Sequence, residues 1–175
     1  MGYTHYWYQK PVPSQKKFNE FSEVVAELLD TNEAKQLLAY ESDSISQLPH
    51  VGSQMVHFNG KGEDGHETFI LERVTEIKDY QKAEGAKTAF NFCKTARKPY
   101  DKYVVACLII AKSIFGKDIT ISSDGELDEW QEGKKLAEQV MNSTVVLTQD
   151  ADEDFQVEAE AKETSIEEFI ADITR

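Results

Sequence analysis

The sequence contains little cysteine: Cys93 and Cys107 are the only two in 175 residues. Their spacing matches neither a zinc-binding knuckle nor a disulfide framework, so neither kind of site is expected to hold the fold together. Cys107 lies within an apolar run and is expected to be a buried free thiol. Cys93 precedes Lys94, whose charge could lower the pKa of the thiol. Because no base lies nearby in the sequence, a catalytic role for Cys93 is disfavoured.

Long hydrophobic runs are also missing. The longest apolar run, Tyr103–Ala111, has nine residues, half of the ~18 that a membrane-spanning helix needs. The start of the chain lacks the basic and then apolar layout of a signal peptide. We therefore expect a cytoplasmic protein with no membrane partner.

Basic residues are scarce, with 19 lysines and arginines against 32 acidic residues and a net charge of −13. The stretch from Asp150 to Arg175 holds ten acids and two bases, and the rest of the chain is acidic as well. An acidic surface repels phosphate backbones, so generic nucleic-acid binding is excluded. A protein partner with a basic groove is compatible with this charge.

The spacing of apolar residues predicts an α+β fold. Residues at three- and four-residue spacing predict helices at 14–30, 100–115 and 127–141, of which the second is apolar nearly all round and therefore central. Short runs rich in aromatic and β-branched residues predict strands at 2–9, 54–59, 68–74, 89–94 and 118–122. We expect one two-layer domain over residues 1–148, in which three main helices cover a mixed or antiparallel sheet of about five strands.

The acidic C-terminal stretch is expected to lie outside this domain. Residues 149–163 are acidic and poor in apolar side chains, which predicts a flexible linker. Ser165 and Glu168 form a capping-box pattern around the start of an apolar stripe, so a short amphipathic helix is expected at 164–173. Residues 149–175 are therefore interpreted as a linker with a terminal helix that either docks on the domain or binds a partner.

Four cations are concentrated in nine residues of this acidic chain: Lys94, Arg97, Lys98 and Lys102. Three of them precede Pro99, which suits the first turn of a helix. Free backbone N–H groups and the helix dipole favour an anion at such a position. The cluster therefore indicates either a bound phosphate or carboxylate, or internal pairing with acids such as Asp101 and Glu67.

A second polar loop, Ser122–Gly125, also follows a predicted strand and precedes a predicted helix. Loops in this position are frequent ligand sites, although Ser123 or Asp124 could equally cap the helix that follows. If both loops lie at one edge of the sheet, hydroxyls and cations face one pocket, with Trp7 or Tyr3 as a stacking ring. The candidate ligand-binding set is Lys94, Thr95, Arg97, Lys98, Lys102, Ser122, Ser123, Asp124, Trp7 and His5; no catalytic residue, metal ligand or cofactor is assigned.

Four motifs occur in one order along residues 1–125. They are MGYTHYW at Met1–Trp7, FNG and GHETF between Phe58 and Phe69, FCKTARKPYD at Phe92–Asp101, and ISSDG at Ile121–Gly125. Together they resemble a family of bacterial and phage proteins that has no established activity. The resemblance implies an accessory or host-interaction role, in the host cytoplasm if a phage encodes the protein. It carries over no catalytic residue, and the chain after about Gln149 lies outside it.

Three functions are compatible with these patterns. The favoured one is a non-catalytic phage or bacterial protein that binds a small anionic or phosphorylated, nucleotide-like ligand at the helix start of residues 94–102, and so could sequester a host signal. The second is an acidic protein-interaction inhibitor, similar to a nucleic-acid mimic, that acts through its surface and C-terminal tail. The third is a metal-dependent hydrolase that uses His5, His66 or Asp124, although structural histidines are favoured because their spacing fits no metal site.

Overall fold

A five-stranded antiparallel sheet forms the framework of the protein. The structure, a computed structural model, describes residues 2–162. In chain order its helices and strands are β1 (Thr4–Gln9), α1 (Gln15–Leu29), α2 (Asn32–Leu37), β2 (Leu38–Ala39), β3 (His50–Val51), β4 (Met55–Gly60), β5 (Phe69–Glu72), α3 (Asp79–Ala83), β6 (Ala89–Lys94), α4 (Asp101–Phe115), β7 (Ile119–Ser123), α5 (Gln131–Met141), β8 (Ser143–Gln149) and β9 (Phe155–Ala161). The strand order of the main sheet is β6–β1–β7–β9–β8. The predicted α+β fold with three main helices, α1, α4 and α5, is confirmed.

A second, smaller sheet is arranged around β4. This strand pairs with β2, β3 and β5, all antiparallel. The strands predicted at 54–59 and 68–74 are thus present as β4 and β5, but they belong to this second sheet. The main sheet instead gains β8 and β9 from the C-terminal part of the chain.

Strand β1 lies between β6 and β7, and its two faces have different surroundings. His5 and Trp7 point into the core and are 0% and 1% exposed. Tyr6 and Tyr8 point to the other face, where Tyr8 is 42% exposed, because successive side chains of a strand alternate. In the register of the sheet, His5 lies opposite Ser123 of β7. The side of the sheet that faces the helices therefore carries His5.

Helix α4 forms the centre of the hydrophobic core. Every residue from Tyr103 to Ala111 is buried. Helix α5 packs so closely against it that a Cβ atom at Gly133 would overlap the side chain of Val105. Helix α4 ends at Gly116, whose φ of 57° lies in the left-handed region. None of the described helices is long and apolar enough to cross a membrane.

The prediction of a linker after residue 148 is wrong for residues 155–161. These residues form β9, which lies between β7 and β8 in the main sheet. The side chains of β9 alternate between the two faces of the sheet, so the strand can be acidic and still pack on the core. Phe155 is completely buried, whereas the acids at 158 and 160 are exposed on the opposite face. An acidic composition is thus compatible with a strand that has one face in solvent. The helix predicted at 164–173 lies outside the described residues.

Candidate functional site

The join between β6 and α4 has a strained backbone. Ala96 and Arg97 have φ angles of 52° and 56°, in the left-handed region that costs L-residues about 1–2 kcal/mol each. The backbone amides of Thr95 and Ala96 both donate to the carbonyl of Tyr3 at 3.1 Å, and the Thr95 hydroxyl donates to Asp101. Strain that is held in place by such contacts is common at functional sites. The join is therefore the first candidate.

Two of the four cations concentrated at this join are paired with acids. The Nε of Arg97 donates to Glu129 at 3.0 Å, and the guanidinium lies 4.2 Å from the centre of the Tyr3 ring. Lys102 pairs with Glu33, and this hydrogen bond raises the pKa of Lys102. The alternative of internal pairing is confirmed for Arg97 and Lys102.

Lys94 lies apart from the other cations, so the prediction that it shares their pocket is wrong. It ends β6 opposite Thr4, on the face of the sheet that points away from the core. Its backbone amide donates to the Glu67 carboxylate at 2.7 Å, and its aliphatic chain lies beside Gly2. Strand alternation explains the difference, because Cys93 takes the inward position next to it.

A cavity of about 320 Å³ opens beside the strained join. It is lined by Tyr3, Arg97, Lys98, Pro99, Asp101, Lys102, Asp128, Glu129 and Glu132. Three cations therefore face four carboxylates, and the cavity is mixed in charge rather than basic. Tyr3 is 1% exposed beneath the Arg97 guanidinium, and its burial raises its pKa. We call this space the join cavity.

Both ring nitrogens of His5 are hydrogen-bonded. Nδ1 lies 2.7 Å from the hydroxyl oxygen of Ser123, and Nε2 lies 2.6 Å from a carboxylate oxygen of Asp101. An ionised carboxylate only accepts hydrogen bonds, so Nε2 carries a proton and donates to Asp101. Because both nitrogens are occupied, neither is free to bind a metal ion. This arrangement disfavours the metal-dependent hydrolase that was considered for His5.

Asp124 anchors the start of β1 and does not cap a helix. One of its carboxylate oxygens accepts from the backbone amide of Thr4 at 3.0 Å, and the other accepts from the Tyr6 hydroxyl at 3.2 Å. Its own amide donates to the Thr4 carbonyl at 2.9 Å. The capping alternative is therefore wrong for Asp124, and its carboxylate is already used by the protein. Ser122 lies opposite Tyr6, on the face of the sheet that points away from His5.

A second cavity, of about 360 Å³, opens at the Ser123 loop. It is lined by Ser123, Asp124, Gly125, Glu126, Leu127, Asp128, Gln149 and Glu153, and we call it the loop cavity. The two loops thus lie at one edge of the sheet, which meets the condition set in the sequence analysis, but they open into two cavities instead of the one pocket expected. His5 lies between the two cavities, because it is hydrogen-bonded to Asp101, which lines the join cavity, and to Ser123, which lines the loop cavity.

Trp7 is a core residue, so the prediction that it stacks on a ligand is wrong. It is 1% exposed, its indole Nε1 donates to Gln9 at 3.1 Å, and its ring packs 5.4 Å from that of Phe69. Trp7 lies two residues after His5 in β1, so its side chain points to the same buried face. Two residues that were not in the candidate set contribute most to the site: Asp101, which is 96 positions from His5, and Trp130, which contacts His5 edge-on at 5.4 Å between ring centres.

The other histidines do not converge with His5. His57 belongs to the second sheet, where its Nε2 lies 2.9 Å from the Glu41 carboxylate. A hydrogen bond from the Thr68 hydroxyl and then the one from His57 lower the pKa of Glu41. His66 is exposed. Within residues 2–162 the only close group of three potential metal ligands is Asp150, Asp152 and Asp154, in the turn between β8 and β9.

Both cysteines are buried free thiols. Burial raises the pKa of Cys93 to about 12 and also raises that of Cys107. We expect the thiol reagent DTNB at about pH 8 to react with neither in the native protein, and with both in guanidinium, because the thiolate is the reactive form. Rapid release of one equivalent of thionitrobenzoate from native protein would contradict this, and a Cys93→Ser variant would then assign the thiol.

Comparisons of the chain with protein-family models, with curated proteins and with solved structures found no match. The resemblance to bacterial and phage proteins therefore stays a prediction. What the site can do has to be inferred from its own geometry.

Proposed function

We propose that the protein binds a small anionic, nucleotide-like ligand in the join cavity. The observation that carries this proposal is the incomplete hydrogen bonding of the Arg97 guanidinium. Only its Nε is hydrogen-bonded within the described chain, to Glu129, so the two terminal nitrogens of the guanidinium are available as a fork for a phosphate or carboxylate. The side chain is 58% exposed, and Lys98, which lines the same cavity, makes no ion pair with any residue of 2–162.

The mixed charge of the join cavity restricts the ligand class. A purely anionic ligand would be repelled by the four carboxylates, whereas a ligand with an anionic end and several hydrogen-bond donors would match both signs. A nucleotide has this pattern, since its phosphate suits Arg97 and Lys98 and its hydroxyl and amino groups can donate to carboxylates such as Asp128. The Arg97 guanidinium has one face on Tyr3, and arginine planes of this kind stack well on bases.

The proposal places the protein in the cytoplasm of a bacterium or of a phage-infected host, where nucleotide ligands are present. Holding such a ligand would remove it from solution, so sequestration of a host signal is the biological role that the proposal suggests. The resemblance to phage and bacterial proteins and the charge fork at Arg97 support this role independently of each other.

We expect calorimetric titration against a panel of nucleoside monophosphates, diphosphates, triphosphates and cyclic dinucleotides to identify at least one ligand. Arg97→Ala and Lys98→Ala should each weaken its binding about 10- to 100-fold, since a hydrogen bond to a charged group contributes about 1.5–3 kcal/mol. Lys117→Ala is the matched control, because Lys117 is an exposed cation outside both cavities. A panel without a ligand, or affinities that are the same in all variants, would refute the proposal.

A further inference from the structure

We propose that the outer face of the main sheet, which points away from helix α4, binds a basic segment of a partner protein. Its apolar part is formed by four rings on two neighbouring strands, which we call the aromatic patch: Tyr6 and Tyr8 of β1, and Phe90 and Phe92 of β6. Tyr6 lies opposite Phe92, and Tyr8 lies opposite Phe90. None of the four lines the join cavity, so the proposal does not depend on ligand binding there.

The four rings form one continuous surface around Phe90. The centre of the Phe90 ring lies 5.0 Å from that of Tyr8, 6.1 Å from that of Tyr6 and 5.9 Å from that of Phe92. Tyr8 is 42% and Phe92 is 56% exposed, so no element of residues 2–162 covers this surface. Single exposed apolar residues are common, whereas a contiguous apolar patch marks a contact surface. The patch also reaches the edge strand β6, where uncovered apolar side chains favour unwanted association.

The charges beside the aromatic patch are mainly negative. Glu158 and Glu160 of β9 are exposed on the same face of the sheet. The hydroxyl of Tyr6 donates to the exposed carboxylate of Asp124, which adds a third acid. Lys94, at the end of β6, is the only cation within the five strands of the main sheet. The outer face therefore has a negative charge that complements a positively charged partner.

Arginine is the side chain that matches both parts of this surface. Its guanidinium is attracted to the face of an aromatic ring, and it pairs with a carboxylate through two parallel hydrogen bonds. Strand β9 lies two positions from β1 in the sheet, which corresponds to about 10 Å. An extended chain covers that distance in about three residues. A segment with arginines about three positions apart can therefore place one of them on the aromatic patch and another at Glu158.

The same charges disfavour the other occupants of an aromatic surface. Single-stranded nucleic acids stack their bases on such rings, but a positively charged groove then holds the phosphates. Here carboxylates flank the rings, and the chain has a net charge of −13, so phosphates are repelled. A second copy of the chain would bring the same acids to the contact and would be repelled as well. The surface therefore favours a basic protein segment.

The experiment measures binding of fluorescein-labelled peptides to the full chain by fluorescence anisotropy. The peptides consist of Arg-Ser-Gly repeats, with lysine or glutamate in place of arginine in two matched versions. A salt concentration of about 0.15 M screens nonspecific attraction between exposed charges. The arginine peptide should bind, the lysine peptide should bind more weakly because an ammonium group does not stack as a planar guanidinium does, and the glutamate peptide should not bind.

Variants of the outer face locate the contact. Phe92→Ala and Tyr8→Ala should each weaken binding of the arginine peptide about 3- to 10-fold, through loss of a cation–π contact. Glu158→Gln should weaken it about two- to fivefold, as is usual for an exposed ion pair. Leu48→Ala and Glu20→Gln are the matched controls and should bind like the parent protein, because these exposed apolar and acidic residues lie outside the main sheet. Circular dichroism of each variant confirms that it is folded.

Absence of binding, or equal affinities of the parent protein and folded Phe92→Ala, would overturn the proposal. Binding of the arginine peptide only to a chain that ends at Lys162 would assign the aromatic patch to the C-terminal segment instead. Tighter binding of oligothymidylate would assign it to single-stranded nucleic acid, and self-association that Phe92→Ala abolishes in sedimentation velocity would assign it to a second copy. Nucleotide titration reports on Arg97 and Lys98, and peptide binding reports on the aromatic patch, so one proposal can fail without the other.

Discussion

A chain that ends at Thr148 loses its cooperative unfolding transition, whereas a chain that ends at Lys162 keeps it. The shorter chain lacks β9, which pairs with β8 over seven residue pairs and also joins β7. Its removal leaves β8 with no strand partner and takes away Phe155, which is fully buried and stacks on Trp130 at 4.1 Å between ring centres. Unpaired strand edges and exposed apolar surface then favour aggregation over folding.

Urea denaturation followed by tryptophan fluorescence and by circular dichroism measures this effect. The chain ending at Lys162 is the reference, because it keeps every described strand. If the chain ending at Thr148 unfolds with the same midpoint and slope, β9 does not belong to the cooperative unit. Since β9 belongs to the sheet, deleting residues 150–175 also damages the fold, and such a deletion does not test whether the C-terminal tail binds a partner.

Trp130→Ala lowers the free energy of unfolding by about 3–5 kcal/mol, the range that is typical of a large aromatic residue removed from a core. Trp130 is fully buried, stacks on Phe155 and donates to Ser123. Its loss therefore leaves a cavity beside Phe155 and His5 and removes one hydrogen bond. Because a typical domain has only about 5–15 kcal/mol of stability, this single change brings the protein close to unfolding.

Phe92→Ala is the matched control for this prediction. Phe92 is an aromatic residue of the same sheet, but it is 56% exposed on the opposite face. Its removal should cost less than about 1 kcal/mol, as is usual for exposed positions. Trp130→Phe keeps the packing but not the indole N–H, and its cost should lie between the two. Equal urea midpoints for Trp130→Ala and Phe92→Ala would show that the two faces of the sheet contribute equally.

Strong local patterns made several elements predictable. The central helix was predicted at 100–115 and is found at Asp101–Phe115, because Pro99, a long apolar segment and Gly116 mark its start, body and end. The strand at 89–94 is present with the same bounds. The C-terminal boundary of the domain was predicted too early in the chain. Charged residues dominate the composition of 149–163 and conceal the alternation of apolar Phe155, Val157 and Ala159 with polar residues.

The candidate site was predictable in its location but not in its chemistry. His5, Thr95, Arg97 and Ser123 do lie at one edge of the sheet, as two loops that each follow a strand suggest. Trp7 was misjudged because both faces of β1 carry aromatic rings, and alternation alone does not tell which face is buried. Pairing between β1 and its neighbours decides this, and it depends on residues about 80 to 120 positions away.

The sequence by itself determined the α+β class, the central helix and the concentration of cations before it, because hydrophobic period, proline and glycine act over a few residues. Only the tertiary structure decided what the site contains. Antiparallel pairing of β1 with β7 brings His5 to Ser123, and the packing of α4 under the sheet brings Asp101 to the other side of the imidazole. The same packing gives Arg97 an internal partner and leaves only part of its guanidinium for a ligand. Contacts of this kind join positions that are far apart in the chain, and no local pattern records them.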